Sequence, residues 1–354
     1  IGSGPYKLVQ WDKGQQVIAE ANENYYGEKP SIKKLTMVFM DDDTAYAAVK
    51  AGEVDIASIP GSFAKEEVEG KKLIELDSIE TYGVAYPMEQ PGKTTADGYP
   101  IGNAVTSDET IRKALTYAID REELVEGILE GYGAPSSTGL EKMPWLNEET
   151  IIKPEEDGKI NEAKKMLEEA GWKDTNNNGT IDKDGVEAEF DLLYTDGKYR
   201  QELGLAYVEV AKKLGIKVNL ENRNWDTIVP EINSQAVLYG FGSGDPSEIY
   251  NLYSSKTFGV GVPWNNSGYY QNDKVDEYID KALQSEDEDS ALEYWKKAQW
   301  DGETGFSHMG DCAYTWFVNA GHLYLADEDL DIGTPVVQPH GGKVLYNITE
   351  WSWK

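Results

Sequence analysis

The sharpest chemical pattern in the chain is Asp174-Thr175-Asn176-Asn177-Asn178-Gly179-Thr180-Ile181-Asp182. Oxygen side chains stand at loop positions 1, 3, 5 and 9, a glycine at 6 and an apolar residue at 8. A calcium loop uses this spacing, with alternate oxygens pointing inward and the glycine taking the tight turn. Asp174, Asn176, Asn178, Thr180 and Asp182 are therefore candidate Ca2+ ligands. The twelfth position is Gly185 in place of a bidentate Glu, Asp184 is one place early, and the flanks read as a helix and a strand. The competing reading is an Asx-rich turn joining helix to strand.

Other reactive residues lack companions. His308, His322 and His340 have no metal-type spacing, and the lone Cys312 can form neither an intrachain disulfide nor a thiolate zinc site. Cys312 lies among Ala313, Tyr314, Trp316 and Phe317, where a small core residue is expected. Ser62-Phe63-Ala64-Lys65 fits S-x-x-K without its partner motifs. Gly240-x-Gly242-x-Gly244 is followed by neither Gly-Lys-Ser/Thr nor a third glycine at dinucleotide spacing. No carboxylate pair stands out as an acid/base couple. The chain reads as non-enzymatic.

Aromatic residues give a different signal. Ten Trp and 22 Tyr are present, and Trp145, Trp264, Tyr269 and Tyr270 fall in turn-like segments. Flat rings beside amides such as Asn265 and Asn266 suit a ligand cleft, and core or surface packing is the alternative for each one.

The elements that would position these residues read as α/β. Strand-like runs cover 6–11, 16–21, 34–40, 54–59 and 81–86, with a helix capped by Asp41–Thr44 and ended by Gly52. Residues 87–102 read as a Pro/Gly-rich loop. Ile111, Ala114, Leu115 and Ala118 keep a helical period, and Asp120 with Glu123 forms a capping box. Strand 186–194, helix 199–214 and strand 216–220 make a βαβ unit, which requires a parallel pair. Strand 236–241 precedes the Gly-rich turn and a helix through Tyr253. Helices 273–283 and 289–300 follow, then strands 314–319, 322–325 and 344–348.

Composition bounds the partners. The 354 residues carry 33 basic and 64 acidic side chains, a formal charge of −31. That charge repels nucleic acid and anionic lipid. At 40% hydrophobic residues the chain can bury a sizeable core, and no run of about 18 apolar residues reads as a membrane span. The opening Ile1-Gly2-Ser3-Gly4-Pro5 has no Met, basic segment or apolar segment, so no targeting signal is readable.

Several motifs in order resemble the peptide/nickel-type (family 5) extracellular solute-binding proteins of bacterial ABC importers. They are Gly2-Ser3-Gly4-Pro5-Tyr6-Lys7-Leu8, Asn24-Tyr25-Tyr26-Gly27, Ala51-Gly52-Glu53-Val54-Asp55-Ile56, Ile111-Arg112-Lys113-Ala114-Leu115-Thr116-Tyr117-Ala118-Ile119-Asp120-Arg121, Gly244-Asp245-Pro246, Asn266-Ser267-Gly268-Tyr269 and Asn347-Ile348-Thr349-Glu350-Trp351. The resemblance implies a periplasmic-binding-protein type II-like fold, here the C-terminal two-thirds of a longer protein. Residues 1–84 and 326–354 would form part of lobe I, and 85–325 the complete lobe II. It implies capture of a peptide-like or other polar organic ligand between two lobes, delivery to ABC permease and ATPase subunits, a monomer, and an extracytoplasmic location with a lipid anchor on the full-length protein.

The resemblance also suggests site residues. Trp264, Asn265, Asn266 and Tyr269 align with a cleft-facing loop. Tyr239, Phe241, Ser243 and Asp245 lie at a strand C-terminus, where α/β lobes bind ligands. Tyr86 and Glu89 lie near the lobe junction. In peptide-binding members an Asp four residues before the Pro holds the ligand's amino group, and here that position is Gly242, which speaks against recognition of a free peptide N-terminus. Nickel ligation through histidine is unsupported by the places of the three His. A peptide or glycan hydrolase using Asp245, and a signalling receptor, are the rival readings.

Overall fold

The structure is a computed structural model and describes residues 2–342 and 344–354. The chain divides into two compact units, Ile1–Ser78 with Gly321–Lys354, and Ile79–Ala320. In chain order the first unit contributes β1 (Tyr6–Asp12), β2 (Gln16–Ala21), β3 (Lys34–Val38), α1 (Asp42–Ala51), β4 (Ile56–Ile59) and β5 (Lys71–Leu76). The second contains β6 (Thr81–Ala85), α2 (Glu109–Ala118), α3 (Arg121–Gly127), β7 (Gly133–Pro135), α4 (Ile160–Glu169), β8 (Glu189–Tyr194) and α5 (Arg200–Lys213). It continues with β9 (Lys217–Asn222), β10 (Ala236–Phe241), α6 (Ser247–Tyr253), α7 (Asp273–Gln284), α8 (Glu288–Gln299) and β11 (Tyr314–Ala320). The chain returns to the first unit as β12 (His322–Asp327).

Local chemistry sets the helix ends. Asp41 accepts a hydrogen bond from Thr44 N at 2.8 Å, and Gly52 takes the left-handed conformation that stops α1. Asp108 caps α2 and Asp120 caps α3 by the same means. Ile111, Ala114, Leu115 and Ala118 are all buried on α2, as their spacing requires.

In the first unit β1, β2 and β3 form an antiparallel sheet, and β12 lies between β4 and β5 in a second one. Residues 344–348, expected as a strand, instead belong to a 3-10 helix, Val344–Glu350. Val344, Asn347 and Ile348 are its buried residues while Tyr346 is exposed, a helical spacing that an alternating strand could not supply.

The second unit is built on a six-stranded mixed sheet in the order β9-β8-β10-β6-β11-β7. β8 pairs in parallel with β9 from Glu189↔Lys217 to Tyr194↔Asn222, with α5 as the crossover, so the βαβ expectation holds. β10 also runs parallel to β8, whereas β6 is antiparallel to both β10 and β11. The chain crosses between units at 78/79 and 320/321. Both points precede the positions read from the sequence, because β6 is paired on both sides within this sheet and β12 within the other. The 87–102 segment is not wholly a loop, since Lys93–Thr94 and Pro100–Ile101 pair as a small hairpin.

Strand alternation splits the core of this unit into two layers. Leu192, Leu238, Val84 and Tyr86 point to one layer with α2, α4 and α5. Leu193, Val237, Tyr239 and Ala85 point to the other with α6, α7 and α8. A sheet covered on both faces by helices is an α/β sandwich, and the second layer is the one that carries most of the candidate site.

Candidate functional site

The second layer contains a run of aromatic rings that begins at the surface and ends in the core. Trp264, 36% exposed, lies 5.5 Å from Trp225 between ring centroids. Trp225 stacks on Tyr239 at 6.0 Å, and Tyr239 leads to Phe241 at 5.1 Å. Phe241 meets Tyr314 and Trp316 edge-on at 6.2 and 6.1 Å, and those two stack at 5.0 Å. Tyr239 and Phe241 are two residues apart on β10, so the pleat puts both on the same face. Offset and edge-to-face contacts of this kind add about 0.5–1.5 kcal/mol per pair beyond burial, which makes the array a rigid platform.

The loop before α7 holds Trp264 in place. Asn266, 1% exposed, donates from its side-chain amide to Ser254 O at 2.9 Å and Tyr270 O at 2.8 Å, and its Oδ1 accepts from Tyr270 N at 2.8 Å. It adopts φ 38°, a conformation that asparagine tolerates better than most residues. Asn265 donates to Val260 O at 2.7 Å, and Tyr269 stacks on Phe258 at 4.5 Å. The Tyr239 hydroxyl donates to Ser267 Oγ at 3.3 Å, and burial pushes its phenol far above the usual range, so it stays protonated.

At the end of β10 the turn is organised by Glu248. Its two carboxylate oxygens accept from Gly242 N at 3.0 Å and Ser243 N at 3.1 Å. Ser243 Oγ accepts from Asp245 N at 3.1 Å, and Asp245 Oδ1 accepts from Ser247 N at 2.8 Å. Gly242 has φ 146°, and a Cβ there would lie 2.2 Å from Ile79 O. A side chain at 242 would therefore require the backbone at Ile79–Glu80 to shift.

The candidate residues thus separate. Trp264, Tyr239 and Phe241 share the aromatic array, Asn265 and Tyr269 make separate contacts to Val260 O and Phe258 in the 258–270 loop, and Ser243 and Asp245 stand at the strand end. Asn266 is a buried organiser of the loop. Tyr86 belongs elsewhere: it is fully buried, and its hydroxyl bonds Tyr207 at 2.8 Å and Thr315 Oγ1 at 2.7 Å in the opposite layer. Strand alternation sends it there, one residue beyond Ala85. Glu89 pairs with Lys93 at 2.7 Å. The sequence reading left out Trp225 and Glu248. Trp225 follows the capping residue Asn224, which marks a helix start and gives no sign of a contact across to Tyr239.

The acidic loop closes on itself. Asp174 accepts from Asn178 N at 3.1 Å and Gly179 N at 3.0 Å, Asn176 Oδ1 from Asn178 N at 3.0 Å, and Asn178 Oδ1 from Thr180 N at 2.8 Å. Gly179 takes φ 91° as the turn demands. Asp182 is turned toward Thr175, accepting from its N at 2.9 Å and its hydroxyl at 2.8 Å. The short hairpin Asp182–Lys183/Val186–Glu187 brings Glu187 back over the loop. Its Oε1 accepts from Asn176 Nδ2 at 2.6 Å and Asn178 Nδ2 at 3.1 Å, while Oε2 is sealed from solvent without a partner among the described residues. Among the described residues no group of three or more His, Cys, Asp or Glu side chains is placed to hold a metal. His308 is buried, facing Tyr117 Oη at 2.8 Å and Thr150 O at 2.9 Å, and is not a surface ligand.

Residues 1–261 match the family described as bacterial extracellular solute-binding proteins, family 5 middle. The chain belongs to this family. Protein XP55 of Streptomyces lividans is 35% identical over 335 residues, 92% of this chain and 57% of the relative. Oligopeptide-binding protein AppA of Bacillus subtilis is 28% identical over 359 residues, 99% of this chain and 62% of that protein. The chain therefore spans about three-fifths of these relatives' length. The solved structure of B. subtilis AppA with a nonapeptide matches with a TM-score of 0.78 at 26% identity, covering 100% of this chain and 67% of that one. NikZ from Campylobacter jejuni, solved with Ni(L-His), has the same fold, with a TM-score of 0.81 at 24% identity over 99% and 68% of the two chains. The periplasmic-binding-protein type II-like fold expected from the motifs is thus the fold of the solved family structures. Among the described residues no helix is long and apolar enough to cross a membrane.

Proposed function

We propose that this chain is the greater part of an extracytoplasmic, non-enzymatic solute-binding subunit of an ABC importer. It captures a peptide-like or other polar organic ligand and delivers it to a membrane permease driven by an ATPase subunit. The full-length protein is a monomer held at the outer face of the membrane by a lipid anchor. The family match over residues 1–261 carries this reading. A peptide-like ligand is favoured by the likeness to AppA, which was solved with a nonapeptide. Trp264 supplies exposed apolar contact area, supported from beneath by Trp225 and the buried Tyr239. The test is calorimetry and thermal shift on the full-length protein against peptide, sugar and metal-chelate libraries. Binding of one class with micromolar or better affinity supports the reading; no binder in any class, or peptide hydrolysis abolished by Asp245→Asn, overturns it.

We propose separately that the Asp174–Asp182 loop takes Ca2+. Oxygens of Asp174, Asn176, Asn178 and Thr180 would form the set, and Glu187 would replace the carboxylate missing at position 185. Glu187 supports this because its Oε2 is buried without a partner beside two loop amides, which can turn their oxygens inward. Terbium luminescence sensitised by the nearby Trp172 tests it. Displacement by calcium, and affinity at least tenfold weaker in Glu187→Gln, is expected; absence of terbium emission overturns it.

A further inference from the structure

The second unit contains a small, partly open cavity lined by Thr150, Gln299, Ser307, His308, Tyr314 and Trp316, among others. Its volume is about 10 Å³, at the lower limit of what one water needs. The polar groups around it are almost all engaged within the chain. Gln299 donates to Trp145 O at 2.6 Å and Trp295 O at 2.9 Å, and its Oε1 accepts from Asn147 N at 2.9 Å. The Thr150 hydroxyl donates to Asn147 O at 2.7 Å. Both ring nitrogens of His308 have partners. Two lining groups remain: Tyr314 Oη and Ser307 Oγ are buried and have no hydrogen-bond partner among the described residues. Tyr314 is 6% exposed, and its ring is fixed by stacking on Trp316, so the hydroxyl cannot swing out to solvent.

A buried hydroxyl left unpaired is costly, and native interiors rarely tolerate one. Two such groups lining one cavity meet the requirement of a bound water for two to four polar partners. We propose that this cavity is a binding site for a single ordered water that accepts from Tyr314 Oη and donates to Ser307 Oγ. The water ties β11 to the segment after α8, and it closes the hydrogen-bond inventory of the layer that carries the aromatic array.

The test is a crystal structure of the full chain at a resolution that shows ordered solvent, with Tyr314→Phe and Ser307→Ala solved alongside. One density peak within hydrogen-bond distance of Tyr314 Oη and Ser307 Oγ is expected in the parent, lost or reduced to under half its height in either variant. A cavity without density in the parent, while other internal waters are visible, overturns the proposal. So does a peak that persists unchanged in the double variant. Should the variants fail to crystallise, water-to-amide magnetisation transfer at the Ser307 and Tyr314 amides in the parent decides between the same outcomes.

Discussion

His308 gives the protein a specific sensitivity to acid. Its imidazole is buried between Tyr117 Oη and Thr150 O, and burial lowers its pKa from 6.5 to about 4. In the unfolded chain the ring takes up a proton as pH falls through about 6.5. The folded protein resists until about 4. Between those values the unfolded state binds more protons, so stability falls as pH falls, and the loss is complete below about 4. A gap of about 2.5 pH units at about 1.4 kcal/mol each has a limit of about 3.5 kcal/mol, of which about 3 kcal/mol is reached between pH 7 and pH 4, a large share of the 5–15 kcal/mol typical of a domain. The assay is urea unfolding from pH 7 to pH 4 for the parent and for His308→Gln, which cannot titrate. Any stability advantage of the parent over the variant should shrink by about 3 kcal/mol across that range, whatever its value at pH 7. Parallel curves would refute the reasoning, as would an NMR titration placing the His308 midpoint near 6.5.

Four further outcomes follow from the site. Trp264→Ala should leave the melting temperature of the protein within a degree or two, while weakening ligand binding about tenfold, or about 1.4 kcal/mol, by calorimetry. Asn266→Ala removes three buried hydrogen bonds of one amide and should cost about 1–3 kcal/mol in denaturant titration. Gly242→Ala forces a Cβ against Ile79 O at φ 146° and should cost at least about 1–3 kcal/mol. Gly242→Asp should be no better, and should not confer binding to free peptide N-termini.

Patterns that act over a few residues were legible from the chain alone. The caps at Asp41 and Asp120 and the α2 stripe depend on neighbours within one or two turns, the βαβ unit on a strand–helix–strand succession, and each is present. Segment 344–348 was misread because its β-branched and aromatic residues favour a strand locally, while packing of Val344 and Ile348 into the core of the first unit selects a helical spacing. Of the candidate site, Trp264, Tyr239 and Phe241 were found because turn and strand-end positions are visible in sequence. Tyr86 sits in the wrong layer for a ligand on that face because a one-residue step along a strand reverses the side chain's direction. Trp225 and Glu187 were missed because each acts across a fold-back that no local spacing records, and Glu248 because a carboxylate five or six residues past a turn has no fixed signature.

The pairing of β6 with β11 has a consequence for how this family could have arisen. Ala320 N donates to Glu80 O at 2.9 Å, and Asn319 Nδ2 donates to the same oxygen at 3.0 Å, so the entry and exit of the 79–320 unit are hydrogen-bonded neighbours. A body whose two ends meet can be carried as an insert in a host chain without stretching the host, and its own folding does not depend on where the flanking segments go. It can also be cut out, or reconnected end to end with a short linker and reopened at a surface loop. The same closure confines changes within the 79–320 unit to that unit, because the crossing point is set by the bonds of Ala320 N and Asn319 Nδ2 to Glu80 O.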